Sequence, residues 1–198
     1  MRERMTREQR EAQLIGIATT HFAHRGLNGT SIEEVAKAAG VSRPVIYDHF
    51  GDKEGMYLAC VERARAQFSA VLTRVALDKN LPDLSTAAVR GADAYFALLE
   101  EDPDRAALLF STGSAGTDKL RLQLRGLRDH NIDLIRAAIR RYHPEASDEQ
   151  ALVFAHAYVG LCDELGRWWM STRAMPRERL LGYLAAFVSI PAAVRPLA

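Results

Sequence analysis

The chain is short of net charge, cysteine and long apolar runs, and each shortage excludes a class of protein. Its 26 Lys and Arg residues nearly balance its 25 Asp and Glu residues, which leaves a net charge of +1, so any case for nucleic-acid binding must rest on local placement. Cys60 and Cys162 stand far apart in apolar contexts, as free thiols of a reducing compartment do. No apolar run reaches the roughly 18 residues of a membrane span, and residues 1–10 are too polar for a signal peptide. We therefore expect a cytoplasmic protein without membrane contact.

The sequence also lacks the short motifs of common enzymes. It contains no Gly-rich phosphate loop, Gly-x-Ser-x-Gly elbow, His-Glu-x-x-His pair or paired-cysteine motif. His156 and Asp163 are seven residues apart and could share a helix face, but two ligands do not make a metal site. We therefore expect no enzyme, no cofactor and no metal. The hydrophobic fraction of 48% suffices for a core.

Residues 30–53 hold the most informative pattern, two short helices joined by a tight turn. Thr30 and Ser31 are both candidates for the N-cap of the first helix, because each precedes a Glu by three positions, the spacing of a capping box. Gly40 can end that helix and allow a sharp turn. Ser42 is predicted to cap the second helix, and Pro44 suits its first turn.

The second helix has too few apolar residues to be buried on all sides. Ile46 and Phe50 are four positions apart and should face the core. Lys53 follows at the start of a further helix, where free amides and the helix dipole favour a phosphate. The remaining residues, which are predicted to face outward as a DNA-reading helix does, are Arg43, Val45, Tyr47 and His49.

At these spacings, residues 30–53 resemble the DNA-binding signature of the TetR family of bacterial transcriptional regulators. The resemblance rests on Thr-Ser, Val-Ala, Ala-Gly-Val-Ser and Tyr-x-His-Phe, followed by a Lys. It implies an all-helical homodimer that binds a palindromic operator and leaves it when a small molecule binds. It also implies that several matching residues hold phosphates. The predicted DNA-binding set is Thr30, Ser31, Ser42, Arg43, Pro44, Val45, Tyr47, His49 and Lys53.

Base reading should depend mainly on Arg43, because a guanidinium can bridge the O6 and N7 atoms of guanine. Val45 could contact a thymine methyl group. Asp48 departs from the aromatic or polar residue often found there in the family; it could accept from cytosine or repel the DNA backbone. Three arginines near the start of the chain could reach DNA as an N-terminal arm or lie in solvent: Arg2, Arg4 and Arg7.

The expected fold is all-α with about nine helices. A three-helix helix-turn-helix domain over residues 1–53 should precede a helical effector-binding and dimerisation domain over residues 54–198. Helix four, about 52–78, should connect the two. Capping, periodicity and Pro/Gly breaks predict the other helices at 6–26, 30–39 or 31–39, 42–49, 83–101, 103–112, 117–142, 147–172 and 176–190, with a loop at 111–116.

The last two helices carry more apolar surface than one small bundle needs to hide. The resemblance implies that they pair with their mates in a four-helix dimer interface, in which Trp and Tyr are typical anchors. The alternative is that they form the core of a single chain. The predicted interface set is Phe154, Leu161, Leu165, Trp168, Trp169, Leu181, Leu184, Phe187 and Val188.

Asn131 interrupts the leucine stripe of helix seven, and a core-facing amide needs either an internal partner or a ligand. The other face of that helix is basic, and its arginines are either solvated or bind an acidic group such as the phosphates of an acyl-coenzyme A. They are Arg121, Arg125, Arg128, Arg136 and Arg140. Apolar and aromatic residues predict a pocket for a hydrophobic or aromatic effector. The predicted lining is Phe68, Tyr95, Phe96, Leu99, Phe110, Leu127, Asn131, Tyr158 and Cys162.

Together these patterns predict a repressor that binds double-stranded operator DNA as a homodimer and is released by a small hydrophobic effector. Two alternatives remain open at this point. The protein could be a DNA-binding dimer without a small-molecule effector, or it could activate transcription with the same fold.

Overall fold

The computed structural model describes residues 5–110 and 116–188, and over these residues the protein forms nine helices and no strand. The all-α class and the order of the helices are thereby confirmed. The helices are α1 (Arg7–Gly29), α2 (Ile32–Ala39), α3 (Arg43–Phe50), α4 (Lys53–Leu77), α5 (Leu84–Glu101), α6 (Pro103–Leu109), α7 (Asp118–Tyr142), α8 (Asp148–Thr172) and α9 (Arg177–Val188).

Most helix ends lie within one or two residues of their predicted positions, because local capping determines them. The Ser147 hydroxyl accepts from the Gln150 amide at 3.1 Å, which completes the capping box of α8. Helix α6 ends earlier than predicted, with Phe110 as its C-cap. The predicted loop over residues 111–115 and the predicted end of α9 at Ile190 lie outside the described residues.

Helix α1 starts and breaks at the residues that the sequence indicates. Thr6 and Gln9 form a reciprocal capping box, in which the Thr6 hydroxyl accepts from the Gln9 amide at 3.2 Å. Gly26 then adopts φ 67° and ψ −179° inside the helical span, a conformation that only glycine takes without strain. The chain therefore bends at Gly26 before a last turn that ends at Gly29.

The described residues divide into two compact units, and the first contains α1–α3, α6 and parts of α4 and α7. It comprises residues 5–66, 102–110 and 116–127. Its core includes Leu14, Phe22, Val35, Ile46 and Met56, all almost fully buried. Ile46 is the one residue of α3 that is fully buried in this core, which leaves most of that helix surface outside.

The second unit comprises residues 67–101 and 128–188, which include α5, α8 and α9. Phe96 and Trp169 meet edge to face at its centre, with ring centroids 5.7 Å apart. The Trp169 indole N–H donates to the Met175 carbonyl at 2.8 Å, so this buried ring has its polar atom satisfied. The units divide α4 after Ala66, and the predicted functional boundary at residue 53 stays a prediction.

Neither a membrane span nor a metal cluster occurs among the described residues. None of their helices is long and apolar enough to cross a membrane. None of their His, Cys, Asp and Glu side chains gather in groups of three or more that could hold a metal ion.

Candidate nucleic-acid interface and effector cavity

The turn between α2 and α3 is built as predicted, and one of the two candidate residues caps α2. Ser31 is the N-cap of α2, and its hydroxyl accepts from the Glu34 amide at 3.2 Å. Gly40 adopts the left-handed conformation, φ 65° and ψ 35°, and ends the helix. Thr30, the other cap candidate, lies one residue outside.

Thr30 has an internal role in this structure. Its residue is only 2% exposed, and its hydroxyl lies 2.9 Å from the Gly26 carbonyl and 3.1 Å from the His21 carbonyl. The Lys53 ammonium also donates to the Thr30 carbonyl, at 3.3 Å. The Thr30 side chain thus holds the end of α1 to the start of α2 and does not face solvent, whereas Lys53 remains half-buried near the surface.

Helix α3 presents a polar face to solvent. Ile46 is fully buried, and Val45 and Phe50 pack partly against the same core. Ser42 is the N-cap by position, but its hydroxyl makes no capping hydrogen bond and stays exposed. The other exposed residues of the predicted set on this helix are Arg43, Pro44 and Tyr47, and Asp48 is exposed beside them.

Arg43 is free to move toward a ligand. Its side chain is 62% exposed, and its nearest acid is Glu33, whose carboxylate lies 3.9 Å away and is itself 79% exposed. An exposed pair at that distance contributes little. The guanidinium can therefore exchange Glu33 for a base edge at a small energetic cost.

His49 differs from its predicted outward position. Its side chain is only 7% exposed, and its Nδ1 atom lies 3.5 Å from a carboxylate oxygen of Glu11 on α1. On the same side, the Arg7 guanidinium donates to the Asp48 carbonyl at 3.1 Å. Helix α1 therefore holds the last turn of α3, a contact that no local pattern indicated. Arg2 and Arg4, the other arginines of the predicted arm, lie outside the described residues.

The turn from α3 to α4 is tight and well capped. Gly51 has φ 78°, and the Asp52 carboxylate accepts from the Gly55 amide at 2.7 Å. A Cβ atom on Gly55 would lie closer than 3.0 Å to the Phe50 carbonyl oxygen. Glycine at this position lets the end of α3 approach the first turn of α4.

A large apolar cavity lies in the second unit, where α4, α7 and α9 end and α5 and α8 begin. Its volume is about 740 Å³, within the range of ligand sites. Its lining is Leu72, Val75, Ala76, Asp83, Leu84, Ser85, Ala87, Ala88, Gly91, Leu134, Ile135, Ala138, Ile139, His143, Phe154, Ala157, Tyr158, Leu161, Phe187 and Val188.

Of the nine residues predicted for a pocket, Tyr158 lines this cavity. Its hydroxyl donates to the Ala88 carbonyl at 2.6 Å, and burial raises its pKa well above the usual value. Four lining residues come instead from the predicted interface set: Phe154, Leu161, Phe187 and Val188.

The other predicted pocket residues lie elsewhere. The rings of Phe68 and Tyr95 pack at a tilt of 49°, with centroids 4.8 Å apart, and burial raises the pKa of the Cys162 thiol to about 12. Phe96 and Leu99 are fully buried in the second unit, whereas Phe110 and Leu127 belong to the first unit.

Asn131 has an internal partner. The Ser69 hydroxyl donates to its side-chain oxygen at 2.5 Å, and Asn131 is 2% exposed. Of the two alternatives for this amide, the structure favours the internal hydrogen bond.

A second polar cluster in this unit had no sequence signal. The Asp163 carboxylate pairs with Arg128 at 2.9 Å and accepts from the Tyr95 hydroxyl at 3.1 Å. Arg128 was predicted to lie on a basic face that is solvated or binds an acidic group. Its role as the partner of an internal carboxylate is visible only in the folded unit, where it lies beside Asp163.

The predicted interface residues divide into two groups. Trp169 and Leu184 are buried within the chain, and Leu165, Leu161, Phe154, Leu181 and Val188 are half-buried. Trp168 is 39% exposed and Phe187 61% exposed, and the other exposed large apolar residues on α8 and α9 are Leu152, Val153 and Tyr183. These two helices therefore expose apolar side chains on the outer surface of the second unit.

Comparison with known proteins agrees with this arrangement. Residues 14–60 match the model of the N-terminal region of bacterial regulatory proteins of the tetR family. The HTH-type transcriptional activator FasR of Mycolicibacterium smegmatis is 26% identical over 168 residues, which cover 85% of this chain and 75% of FasR.

Solved structures give the same result. A tetR-family transcriptional regulator from Streptomyces coelicolor is 27% identical, with a TM-score of 0.69 over 91% of this chain and 79% of that one. FadR from Bacillus subtilis, solved with stearoyl-CoA, shares the fold at 17% identity, with a TM-score of 0.78 over 89% of this chain and 96% of FadR. The chain belongs to the TetR family of transcriptional regulators.

Proposed function

We propose that the protein is a homodimeric repressor that binds a palindromic operator and is released when a small hydrophobic molecule enters the cavity. The observation that carries the proposal is the presence, in one chain, of an exposed polar α3 and an apolar cavity of about 740 Å³. A DNA-binding protein without an effector has no need of such a cavity.

In this proposal α3 enters the major groove. Arg43 is the base reader, and the exposed Ser42 hydroxyl, Tyr47 and Lys53 contact phosphates, which set register and supply salt-dependent affinity. The start of α4 adds free backbone amides for a phosphate. Thr30 and His49 support this surface from behind, as their burial indicates.

The second copy would pack against the apolar side chains that α8 and α9 expose. Trp168, Tyr183 and Phe187 are the exposed side chains that such an interface would bury. Aromatic residues are typical interface anchors. A dimer of this kind reads both halves of an operator when its two α3 helices are about 34–36 Å apart, or a multiple of that distance.

Release follows from linkage. A ligand shifts an equilibrium only by its difference in affinity for the two states, so the effector must bind better to a dimer whose α3 spacing does not fit DNA. The operator then weakens effector binding by the same factor by which the effector weakens operator binding.

The test is a titration of the purified protein against labelled DNA that flanks its own gene. Anisotropy is measured at fixed salt, with scrambled duplex as competitor and with hydrophobic compounds added to the complex. We expect dimer binding to a palindrome and loss of binding with an effector. Equal affinity for scrambled DNA would contradict operator recognition at this locus.

Two variants test the role of the cavity. Ala138 lines it, whereas its neighbour Ala137 is exposed and does not. Ala138→Phe should narrow the space and weaken the response to the effector without loss of operator affinity, and Ala137→Phe should respond as wild type. An unchanged response in both variants would favour a dimer regulated without this cavity.

Activation is the second candidate, since the FasR relative is named as an activator. The fold serves both outcomes, because the position of the operator relative to the promoter decides between them. Transcription in vitro from the bound promoter distinguishes them: a repressor lowers the amount of transcript, and an activator raises it.

A further inference from the structure

The lining of the cavity in the second unit is almost entirely apolar. Sixteen of its twenty residues carry no polar side-chain group. The four that do are Asp83, Ser85, His143 and Tyr158. Any charged or hydrogen-bonding part of a ligand must therefore be recognised by these four groups or stay outside.

Each of the four polar groups already has a partner within the chain. The Asp83 carboxylate accepts from the Thr86 amide at 2.7 Å, as the cap of α5. The Ser85 hydroxyl donates to the Val188 carbonyl at 3.2 Å, and the Tyr158 hydroxyl donates to the Ala88 carbonyl at 2.6 Å.

His143, the fourth polar group, is also engaged. Its Nδ1 atom lies 3.0 Å from a carboxylate oxygen of Glu145. Its neighbour is therefore an acid, which competes with any anionic ligand for the imidazole. A neutral ligand hydroxyl can donate to one of these oxygens, because an oxygen acceptor has a second lone pair.

The charges of the lining disfavour an anion. Among the described residues none of the lining side chains is Lys or Arg, and the one carboxylate is that of Asp83. The amide of Thr86 lowers the pKa of Asp83, which keeps it ionised at neutral pH. Asp83 is itself exposed to solvent, so a ligand carboxylate deep in this space would be desolvated with no lysine or arginine of the lining to pair with.

Two arginines lie in the last turn of α7, near the cavity, and both have partners within the chain. Arg140 pairs with Asp148. The Arg141 guanidinium donates to the carbonyls of Ala76 and Asp78, at 2.5 and 3.3 Å, and so caps the end of α4. Arg141 is the cation that a rival, anionic ligand would have to recruit.

The volume sets the scale of the ligand. A water-sized group occupies about 30 Å³, so 740 Å³ corresponds to roughly 25 non-hydrogen atoms. From the lining and the volume, and resting on the proposed function, we propose that the effector is an uncharged hydrophobic molecule of that order of size. A carboxylate or a coenzyme A thioester is disfavoured.

Calorimetric titration of the purified protein, without DNA and near neutral pH, tests the proposal with four probes that share a ten-carbon chain. They are decan-1-ol, decanoate, decanoyl-coenzyme A and decyltrimethylammonium. We expect decanol to bind at least about tenfold more tightly than decanoate or the thioester, because only the anions are left unpaired. Equal or tighter binding of any of the three charged probes overturns the proposal, as does the failure of decanol to bind.

Four variants locate the binding and its charge preference. Ala138→Phe should weaken decanol binding by narrowing the cavity, and Ala137→Phe should leave it unchanged. Asp83→Asn keeps a good helix cap and should strengthen decanoate binding several-fold while decanol binding stays constant. Decanoate binding that Arg141→Gln weakens tenfold would show instead that Arg141 anchors an anion.

Failure of this inference and failure of the proposed function are distinguishable, because ligand binding is measured without DNA. Release of the operator by decanoyl-coenzyme A alone would leave a ligand-released repressor with an anionic effector. Tight decanol binding without release would leave the ligand class intact and overturn release as the mechanism.

Discussion

Gly55→Ala should disturb DNA binding without changing any residue at the DNA surface. Gly55 lies in the first turn of α4, and an added Cβ would lie closer than 3.0 Å to the carbonyl oxygen of Phe50, the last residue of α3. The obstacle is backbone, so no side chain can rotate away. Phe50 packs against the core, which limits how its end of α3 can move.

Relief of this overlap has two routes, and both are costly. The end of α3 can shift, or the first turn of α4 can unwind and lose the cap from Asp52. Overpacking costs about 1–3 kcal/mol, and loss of a cap about 0.5–2 kcal/mol. A shifted α3 should lose about one base contact, worth about 1–3 kcal/mol, so operator affinity should fall roughly 5- to 150-fold.

Thermal unfolding followed by circular dichroism measures the loss of stability. Operator anisotropy, measured below the melting range and at the same protein concentration, measures the loss of DNA affinity. The control is Gly16→Ala, since Gly16 is exposed in α1 with nothing within 4 Å of its Cβ position. That change should add about 0.5–1 kcal/mol of stability and leave DNA binding intact. If the Gly55→Ala variant has the melting temperature and the operator affinity of the wild type, the turn from α3 to α4 has room for a Cβ atom at this position.

Three further outcomes follow. Arg43→Ala should cost about 1–3 kcal/mol and relax one base position, and equal binding to every operator variant in anisotropy would refute that role. Thr30→Val should lower the melting temperature by removing a buried hydroxyl, worth about 1–3 kcal/mol, with no change in the salt slope of DNA binding; a slope reduced by about 0.9 would indicate a phosphate contact instead. Burial raises the pKa of both Cys60 and Cys162 to about 12, so neither thiol should react with a thiol reagent near neutral pH until the protein unfolds.

The sequence predicted the helices well because their ends depend on nearby residues. Thr6, Ser31 and Ser147 each form a capping box within four residues, and Gly40 takes the left-handed conformation that a tight turn requires. Such signals lie entirely within a short window. Ile46 likewise showed its inward direction through helical spacing alone.

The candidate site was harder to predict, because contacts far apart in sequence decide it. His49 lies inward beside Glu11, and these two residues, far apart in sequence, come together only in the folded first unit. Ser69 satisfies Asn131 from another helix, 62 positions away. A stripe of apolar residues does not distinguish a packed core from a cavity wall, so of the predicted pocket set Tyr158 alone lines the space.

The overlap between the cavity lining and the predicted dimer interface couples the two proposals. Phe154, Leu161, Phe187 and Val188 line the cavity and also belong to the interface set, and Phe187 is 61% exposed in the single chain. A molecule in the cavity and a second copy of the chain therefore act on the same side chains. By linkage, an effector that binds the dimer and the monomer with different affinity changes the dimer dissociation constant by the corresponding factor. Sedimentation across a concentration series, with and without the effector, measures that factor, and an unchanged constant would show that the cavity responds to its ligand independently of the interface.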